Sequence, residues 1–367
     1  MKNFRALIID FVLFLGVLSA GLLAVEITLA FLGLPHFYKA HTNPIQFRMF
    51  RDSDGYVSEP SVDIQFVYDG DPRGYFGPGN KIDHRTNLLG FRGKEFQFDK
   101  PERVFRMAFL GDSFTFGEGV KFEDTYPEQV AGLLTREYAP RGITFESYNF
   151  GVGGYNTAQE LFLLNNIVLE AQPDLIVLGF TLNDAEPKLF TFDPVTRVQK
   201  KRPREGLTLE GESERRPPQT FWFRSRLIQW VWQTLSRQKS SKKTVNYYRD
   251  LYRPGAPAWE ETKTSLRQLL RVCESRRIHC YVICFPLLHQ LNSEYPFKNI
   301  HALIRSEVLA EPSPFIHFLD LYDSFKGKKD TALWVHPTDQ HPNEIGHAIA
   351  AQALFESISK TPGLIPQ

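Results

Sequence analysis

The stretch RMAFLGDSFTFGEGV, residues 106–120, places an apolar run directly before a serine and a glycine-rich turn. An apolar run bounded by glycines predicts a buried strand, and the residues after the turn predict a helix that begins near Tyr126. Ser113 stands where the strand ends. A serine in this position is either a helix cap or a nucleophile whose own N–H faces a developing oxyanion, and this stretch alone leaves both interpretations open.

Apolar runs alternate with longer stretches of helical period along the rest of the chain. The runs occupy residues 104–111, 143–151, 173–180, 278–286 and 315–323. Parallel strands that are buried on both faces have this composition, and each needs a crossover connection, usually a helix. The pattern predicts an α/β fold with a doubly wound, flavodoxin-like sheet of about five parallel strands.

The N-terminal segment differs in kind from the rest of the chain. After Lys2 and Arg5 it is apolar through residues 6–34, with only Asp10 and Glu26 as charged residues. Because about 20 apolar residues cross a bilayer, the segment predicts a transmembrane helix, with Glu26 near the far face where its charge costs less. The alternative is a signal peptide cleaved after residues 28–30.

The two basic residues before the apolar segment predict the orientation of the chain. The positive-inside tendency places the N-terminus in the cytoplasm and the rest of the chain in the periplasm or another extracytoplasmic space. We therefore predict a cytoplasmic stub and anchor at 1–36, a small region of strands and loops at 37–100, and the α/β domain at 101–367.

An excursion at about 186–257 interrupts the α/β pattern. It begins with a stretch of mixed charge and continues as TFWFRSRLIQWVWQTLSRQ, in which aromatic and aliphatic residues lie among arginines. The second part predicts a helix. This helix packs on the domain with its basic residues in water, covers a pocket as a lid, or lies on the membrane surface.

The net charge and the number of cysteines each exclude one feature of the protein. The net charge of +1 provides no long-range field that would attract nucleic acid, so we predict no nucleic-acid partner. The cysteines, Cys273, Cys280 and Cys284, are odd in number and form no complete disulfide framework.

Polar residues follow the second and third predicted strands. NFGVGGYNT contains Asn149 and Gly154, and GFTLNDAE contains Asn183. The carboxyl ends of parallel strands meet at the same edge of a sheet, so these groups are predicted to lie near Ser113.

A third group, VHPTDQHPNEIGH, contains His336, Asp339, His341 and His347. Histidine and aspartate are the residues that activate a serine hydroxyl. They are also zinc ligands, and a metal site is the alternative interpretation of this group. We predict neither a metal nor a cofactor.

These blocks resemble those of the SGNH (GDSL) hydrolase family, bacterial membrane-anchored type. GDSF is similar to the first block, NFGVGG to the second, TLND to the third and DQHPN to the last. The resemblance implies an SGNH hydrolase fold, Ser113 as nucleophile and His341 as base. It also implies an oxyanion hole formed by the N–H groups of Ser113 and Gly154 and the side chain of Asn183.

The last block departs from the family pattern at one position. The family commonly has aspartate three residues before the histidine, where this chain has Thr338, and Asp339 lies two before His341. A similar D-x-H arrangement occurs in SGNH-type alginate O-acetylating proteins. Either Asp339 orients His341 and completes a catalytic triad, or it is a cap and a Ser–His dyad is left.

The resemblance and the predicted location together imply a membrane-anchored extracytoplasmic serine esterase. It would act through an acyl-enzyme on small acyl esters of envelope or exported carbohydrate, while the aromatic stretch would also suit lipid esters. The alternatives are an O-acetyltransferase that uses the same site and an inert SGNH-like domain that binds glycan. The sequence does not identify protein partners.

Overall fold

The computed structural model describes residues 2–39, 47–50, 55–188, 190–192, 199–201 and 220–366. Its helices are α1 (Lys2–Phe31), α2 (Ser113–Phe116), α3 (Tyr126–Tyr138), α4 (Thr157–Asn166), α5 (Arg226–Leu251), α6 (Pro257–Ser275), α7 (Lys298–Val308), α8 (Tyr322–Phe325) and α9 (Glu344–Lys360). Its strands are β1 (Phe47–Met49), β2 (Tyr56–Ser58), β3 (Asp63–Val67), β4 (Lys81–Arg85), β5 (Val104–Gly111), β6 (Thr144–Asn149), β7 (Leu175–Phe180), β8 (Phe190–Phe192), β9 (Gln199–Lys201), β10 (His279–Cys284), β11 (Ile316–Asp320), β12 (Trp334–His336) and β13 (Asp339–Pro342).

The central sheet has five parallel strands in the order β11-β10-β7-β5-β6. Each strand lies within one of the apolar runs, and the order is that of a doubly wound, flavodoxin-like sheet. The predicted fold class is therefore confirmed. The chain leaves β5 toward β6 on one side and later returns to β7 on the other, so the carboxyl end of β5 is the topological switch point, where ligands bind in such sheets.

Helices cover the sheet in two groups. α3 packs against α9 and β6, whereas α4 packs against α6, and α6 against α7. The connections β5–α3–β6 and β6–α4–β7 run in opposite directions across the sheet, so right-handed crossovers place α3 and α4 on opposite faces. This arrangement buries every residue of β7, which explains its uninterrupted apolar sequence.

The region before β5 forms two antiparallel hairpins, β1–β2 and β3–β4. β3 alternates exposed and buried residues, as expected for a strand with one face in water. Its buried residues Ile64 and Phe66 join a small apolar cluster with Val120 and Val335. Those two valines belong to the loop after Ser113 and to β12, so the hairpin packs directly on the parts of the chain that carry the candidate site.

The N-terminal helix is long and apolar enough to cross a membrane over Phe4–Phe31. The most apolar part of this segment is not buried against the rest of the protein. The excursion contains the hairpin β8–β9 and then α5, whose first turn contacts α1. The mixed-charge stretch at 202–219 lies outside the described residues. All three cysteines are buried free thiols.

Two buried carboxyl groups lie near the switch point. Glu160 of α4 and Asp184, which follows β7, are fully buried, and burial raises the pKa values of both well above the usual range. The charge of Asp112 adds to the rise for both groups, and the charge of Glu160 adds to it for Asp184. The folded protein thus keeps protons that the unfolded chain loses above about pH 4.5. Stability must therefore fall as the pH rises from there toward the folded pKa values.

We expect Glu160→Gln to remove part of this pH dependence. A shift of one pKa unit corresponds to about 1.4 kcal/mol. The free energy of unfolding of the variant should therefore rise relative to that of the wild type by up to this amount for each unit of pH. Thermal unfolding at pH 5 and pH 8 measures the difference. The exposed Glu170→Gln is the control, and a difference between wild type and Glu160→Gln that does not grow with pH would contradict the assignment.

Candidate active site

Ser113 begins α2, directly after β5. The side chain of Asp112 caps this short helix by accepting a hydrogen bond from the N–H of Phe114 at 2.9 Å. Gly111 has a φ of 153°, and a Cβ there would lie 2.1 Å from Thr115 Oγ1, so the sharp turn requires glycine. The N–H of Ser113, at the first position of the helix, has no acceptor within it.

Ser113, His341 and Asp339 form one hydrogen-bonded chain. His341 Nε2 lies 2.8 Å from Ser113 Oγ, and His341 Nδ1 lies 2.5 Å from Asp339 Oδ1. A carboxylate only accepts hydrogen bonds, so Nδ1 carries the proton and Nε2 accepts from the serine hydroxyl. The D-x-H spacing works because Asp339 and His341 lie on the short strand β13, where residues two apart point to the same face.

Asp339 is fully buried, and its second oxygen also has a partner. The hydroxyl of Tyr68, which follows β3, donates to Asp339 Oδ2 at 2.8 Å. Burial and the nearby Asp339 and Glu118 raise the pKa of Tyr68 well above its usual value, so it remains a donor. Sequence reasoning missed Tyr68, since it lies 271 positions from Asp339 and no local motif marks it.

We expect Tyr68→Phe to lower kcat by about tenfold, because a hydrogen bond to a charged group contributes about 1.5–3 kcal/mol. KM should change little, since the hydroxyl contacts Asp339 and not a substrate. Steady-state kinetics with p-nitrophenyl acetate measures both. Tyr75→Phe is the matched control, because its hydroxyl also donates to a carboxylate, Asp124, at 2.6 Å. Equal kcat in the two variants would contradict a positioning role for Tyr68.

Asn183 lies in the loop after β7 and reaches the site. Its Nδ2 donates to Asp112 Oδ2 at 2.7 Å, and Thr181 Oγ1 donates to the same oxygen at 3.0 Å. Burial raises the pKa of Asp112, whereas these donors lower it. One of the two N–H groups of the Asn183 amide is thus used by Asp112, and the other is still able to bind a ligand.

The loop after β6 is attached to the serine turn. Asn149 Nδ2 donates to the carbonyl of Thr115 at 2.8 Å, and its Oδ1 accepts from the N–H of Gly151 at 2.9 Å. Gly154 has a φ of 80°, a left-handed conformation that favours glycine. A Cβ on its neighbour Gly153 would lie 4.0 Å from Ser113 Cβ. The second block therefore borders the serine, as the sequence predicts.

The remaining histidines of the last block have hydrogen-bond partners other than Ser113. His336 Nδ1 is 2.7 Å from Thr338 Oγ1, so the threonine at the family's usual aspartate position pairs with a different histidine. His347 lies inside α9, where its Nδ1 accepts from the N–H of Tyr126 at 3.2 Å. Burial lowers the pKa of His347 to about 3, so it is neutral.

A buried carboxylate, Glu118, completes the surroundings of His341. Its Oε2 lies 3.9 Å from His341 Nε2, beyond hydrogen-bond distance. Glu118, Asp339 and His341 each place one possible ligand atom within 4.8 Å of the others, which is close enough to hold a metal ion. Both nitrogens of His341 already take part in the Ser113–His341–Asp339 chain, so a metal on His341 would have to replace one of those bonds.

A family model described as the GDSL-like Lipase/Acylhydrolase family matches residues 109–349. This range is well over half of the chain and includes Ser113, Asn149, Asn183 and His341. The chain belongs to this family. This GDSL-like acylhydrolase is therefore a serine hydrolase of the esterase or acylhydrolase type.

Solved structures to which this chain is similar include several esterases and lipases. The lipase Lip_vut3 from a goat rumen metagenome is 15% identical, with 71% of this chain and 100% of that chain covered and a TM-score of 0.43. The acetylxylan esterase Axe2 from Geobacillus stearothermophilus is 15% identical, with 69% and 93% covered and a TM-score of 0.41. A GDSL-like lipase from Bacteroides thetaiotaomicron is 14% identical, with 70% and 88% covered and a TM-score of 0.36. No curated protein matches this GDSL-like acylhydrolase.

Proposed function

We propose that this acylhydrolase is a membrane-anchored, extracytoplasmic esterase that cleaves small acyl esters of envelope or exported carbohydrate through an acyl-enzyme on Ser113. One observation carries the catalytic part of the proposal: His341 is hydrogen-bonded to Ser113 on one ring nitrogen and to the buried Asp339 on the other. The anchor rests on the apolar α1, and the orientation rests on Lys2 and Arg5 before it.

The geometry supplies each proton transfer of an acyl transfer. His341 Nε2 takes the proton of Ser113 Oγ as the oxygen attacks the ester carbonyl, and Asp339 stabilises the imidazolium that forms. His341 then gives the proton to the departing alkoxide, so the sugar leaves as an alcohol. Water next attacks the acyl-enzyme while His341 accepts its proton, which releases the acid and restores Ser113.

The oxyanion of the tetrahedral intermediate would accept hydrogen bonds from the N–H groups of Ser113 and Gly154 and from the side chain of Asn183. Such donors matter because they stabilise charge that develops only in the transition state. Two hydrogen bonds support this role, since Asp112 accepts one from the Asn183 amide and Asn149 donates one that attaches the glycine loop to the serine turn.

We expect Asn183→Ala to lower kcat by about 10²- to 10³-fold, as loss of one oxyanion donor does in other acyl-transfer enzymes. The p-nitrophenyl acetate assay measures it. Asn166→Ala is the control, because Asn166 is an exposed asparagine at the end of α4. Turnover of Asn183→Ala near that of the wild type would remove this residue from the mechanism.

The hydrolase and the transferase share this chemistry and differ in what attacks the acyl-enzyme. We therefore propose an experiment with the full chain in detergent, O-acetylated polysaccharide as donor and an unacetylated oligosaccharide as acceptor. Acetate release at a rate independent of acceptor supports the esterase. Transfer of acetyl to the acceptor with little free acetate would favour the O-acetyltransferase, and neither product would favour the inert glycan-binding domain.

A further inference from the structure

A large apolar surface lies at the start of the excursion helix. The short helical turn Phe221–Arg224 and the first turns of α5 expose aromatic and aliphatic side chains to between 37% and 71%: Phe221, Trp222, Ile228, Trp230, Val231 and Leu235. We call these six residues the aromatic face. Several large apolar side chains exposed within one short segment indicate an interaction site, whereas single exposed leucines do not.

The aromatic face is attached to α1 by the one acidic residue in the outer half of that helix. The carboxylate of Glu26 accepts hydrogen bonds from the N–H groups of Arg226 at 2.6 Å and Leu227 at 3.0 Å, and from Ser225 Oγ at 3.0 Å. It thereby satisfies N–H groups of the first turn of α5 that have no acceptor within the helix. A charged residue in an apolar helix is costly, and α5 offsets that cost here.

A second set of contacts holds the same end of α5 to the chain that follows α1. Arg226 Nη1 donates to the carbonyl of Leu34 at 3.1 Å, and Gln233 Nε2 donates to the carbonyl of His36 at 3.1 Å. The aromatic face therefore lies at the level where α1 ends.

The length of α1 indicates how deep in a bilayer the aromatic face would lie. The twenty residues from Leu7 to Glu26 span about 30 Å, the thickness of the hydrocarbon core. When Lys2 and Arg5 lie at the cytoplasmic face of the bilayer, Glu26 lies at the boundary between hydrocarbon and headgroups on the opposite face. Tryptophan and tyrosine concentrate at this depth, because one end of the ring system is apolar and the other hydrogen-bonds to water.

Further along α5, the exposed residues change from apolar to basic. Beyond Leu235 they include Lys239, Lys242 and Lys243, one to two turns away from the aromatic face. An apolar surface followed within about 12 Å by lysines matches acyl chains followed by anionic headgroups.

We propose that the aromatic face docks on the leaflet into which α1 emerges, so that residues 221–235 form a second contact with the bilayer. This inference rests on the membrane anchor proposed above. It also gives α5 a mechanical role, since its other end packs beside the site: Tyr248 is buried, and the hydroxyl of the following Tyr252 donates to the carbonyl of Leu182 at 3.0 Å, next to Asn183. One continuous helix thus sets how far the site stands from the membrane.

Spin labels on the full chain in vesicles of phosphatidylcholine and phosphatidylglycerol test this proposal. The substitutions are Val231→Cys on the aromatic face, Leu309→Cys after α7, and Leu18→Cys in α1. Val231 and Leu309 are both 42% exposed, which makes Leu309 a matched control, and the native cysteines are buried. Power saturation compares the accessibility of each label to oxygen, which partitions into lipid, with its accessibility to a water-soluble nickel chelate.

We expect the label at position 231 to resemble that at position 18, with an oxygen-to-nickel ratio several-fold higher than at position 309. A label at 231 as accessible to nickel as that at 309, with position 18 in lipid, would overturn the proposal and leave the anchor intact. If position 18 were also in water, the anchor itself would fail. A label at 231 shielded from both reagents would show that protein, a second copy or another chain, covers the face, and would also overturn the proposal.

Discussion

Replacement of Ser113 by alanine is expected to lower kcat for p-nitrophenyl acetate by at least about 10⁴-fold, because the variant has no nucleophile and retains only the binding and oxyanion contributions. The side chain is 9% exposed at the start of α2, and its hydroxyl is 2.8 Å from His341 Nε2. The change removes a single oxygen, so unfolding is not an adequate explanation for a loss of this size.

The control for this prediction is Ser306→Ala on α7, where an exposed serine donates to the carbonyl of Leu303 at 2.7 Å. It should leave kcat and the unfolding temperature unchanged. Initial rates and thermal unfolding of both variants are measured side by side. A Ser113→Ala variant that is folded and retains more than a few per cent of wild-type turnover would contradict the nucleophile assignment.

Replacement of Asp339 by asparagine is expected to lower kcat by about 10⁴-fold, the size of the effect in serine proteases whose catalytic aspartate is changed in this way. The carboxylate of Asp339 keeps the proton on Nδ1 of His341. An asparagine amide that donates to Nδ1 instead would leave the proton on Nε2, where it prevents His341 from accepting the proton of Ser113.

This prediction distinguishes a triad from a dyad, the question that the shifted aspartate raises. Asp83→Asn on β4 is the control, since Asp83 is an exposed carboxylate whose partner is the amide of Gln65 at 2.9 Å. Burst kinetics locate the loss in acylation or deacylation. A decrease of only a few fold in Asp339→Asn would mean that Asp339 is a structural cap and that Ser113 and His341 act as a dyad.

The sequence predicts the sheet well because its strands are buried on both faces. β7 and β10 consist almost entirely of apolar residues, and glycines and polar residues mark the switch point where each strand ends. Local sequence is sufficient to predict these strands, since burial of a strand on both faces determines its composition. The positions of Ser113 and Asn183 follow from the same rule about strand ends.

Long-range partners of the site are a different case. The donor to Asp339, Tyr68, comes from the hairpin region before the sheet, and the acceptor of Asn183, Asp112, precedes the nucleophile itself. No periodicity or spacing identifies such pairs, because they depend on how the hairpin packs on β12 and on the serine loop. The contact between Glu26 and α5 is equally invisible in the sequence, although the cost of a charge in an apolar helix indicates that Glu26 needs a partner.

Labelling by a fluorophosphonate measures whether His341 activates Ser113. The full chain in detergent is treated as wild type and as His341→Ala, and the modified peptide is identified and its rate of formation followed by mass spectrometry. We predict one adduct, on Ser113, that forms at least about a hundred times more slowly in His341→Ala, in keeping with the contribution of a general base. An adduct on another residue, or equal labelling rates in the two proteins, would contradict the activation of Ser113 by His341.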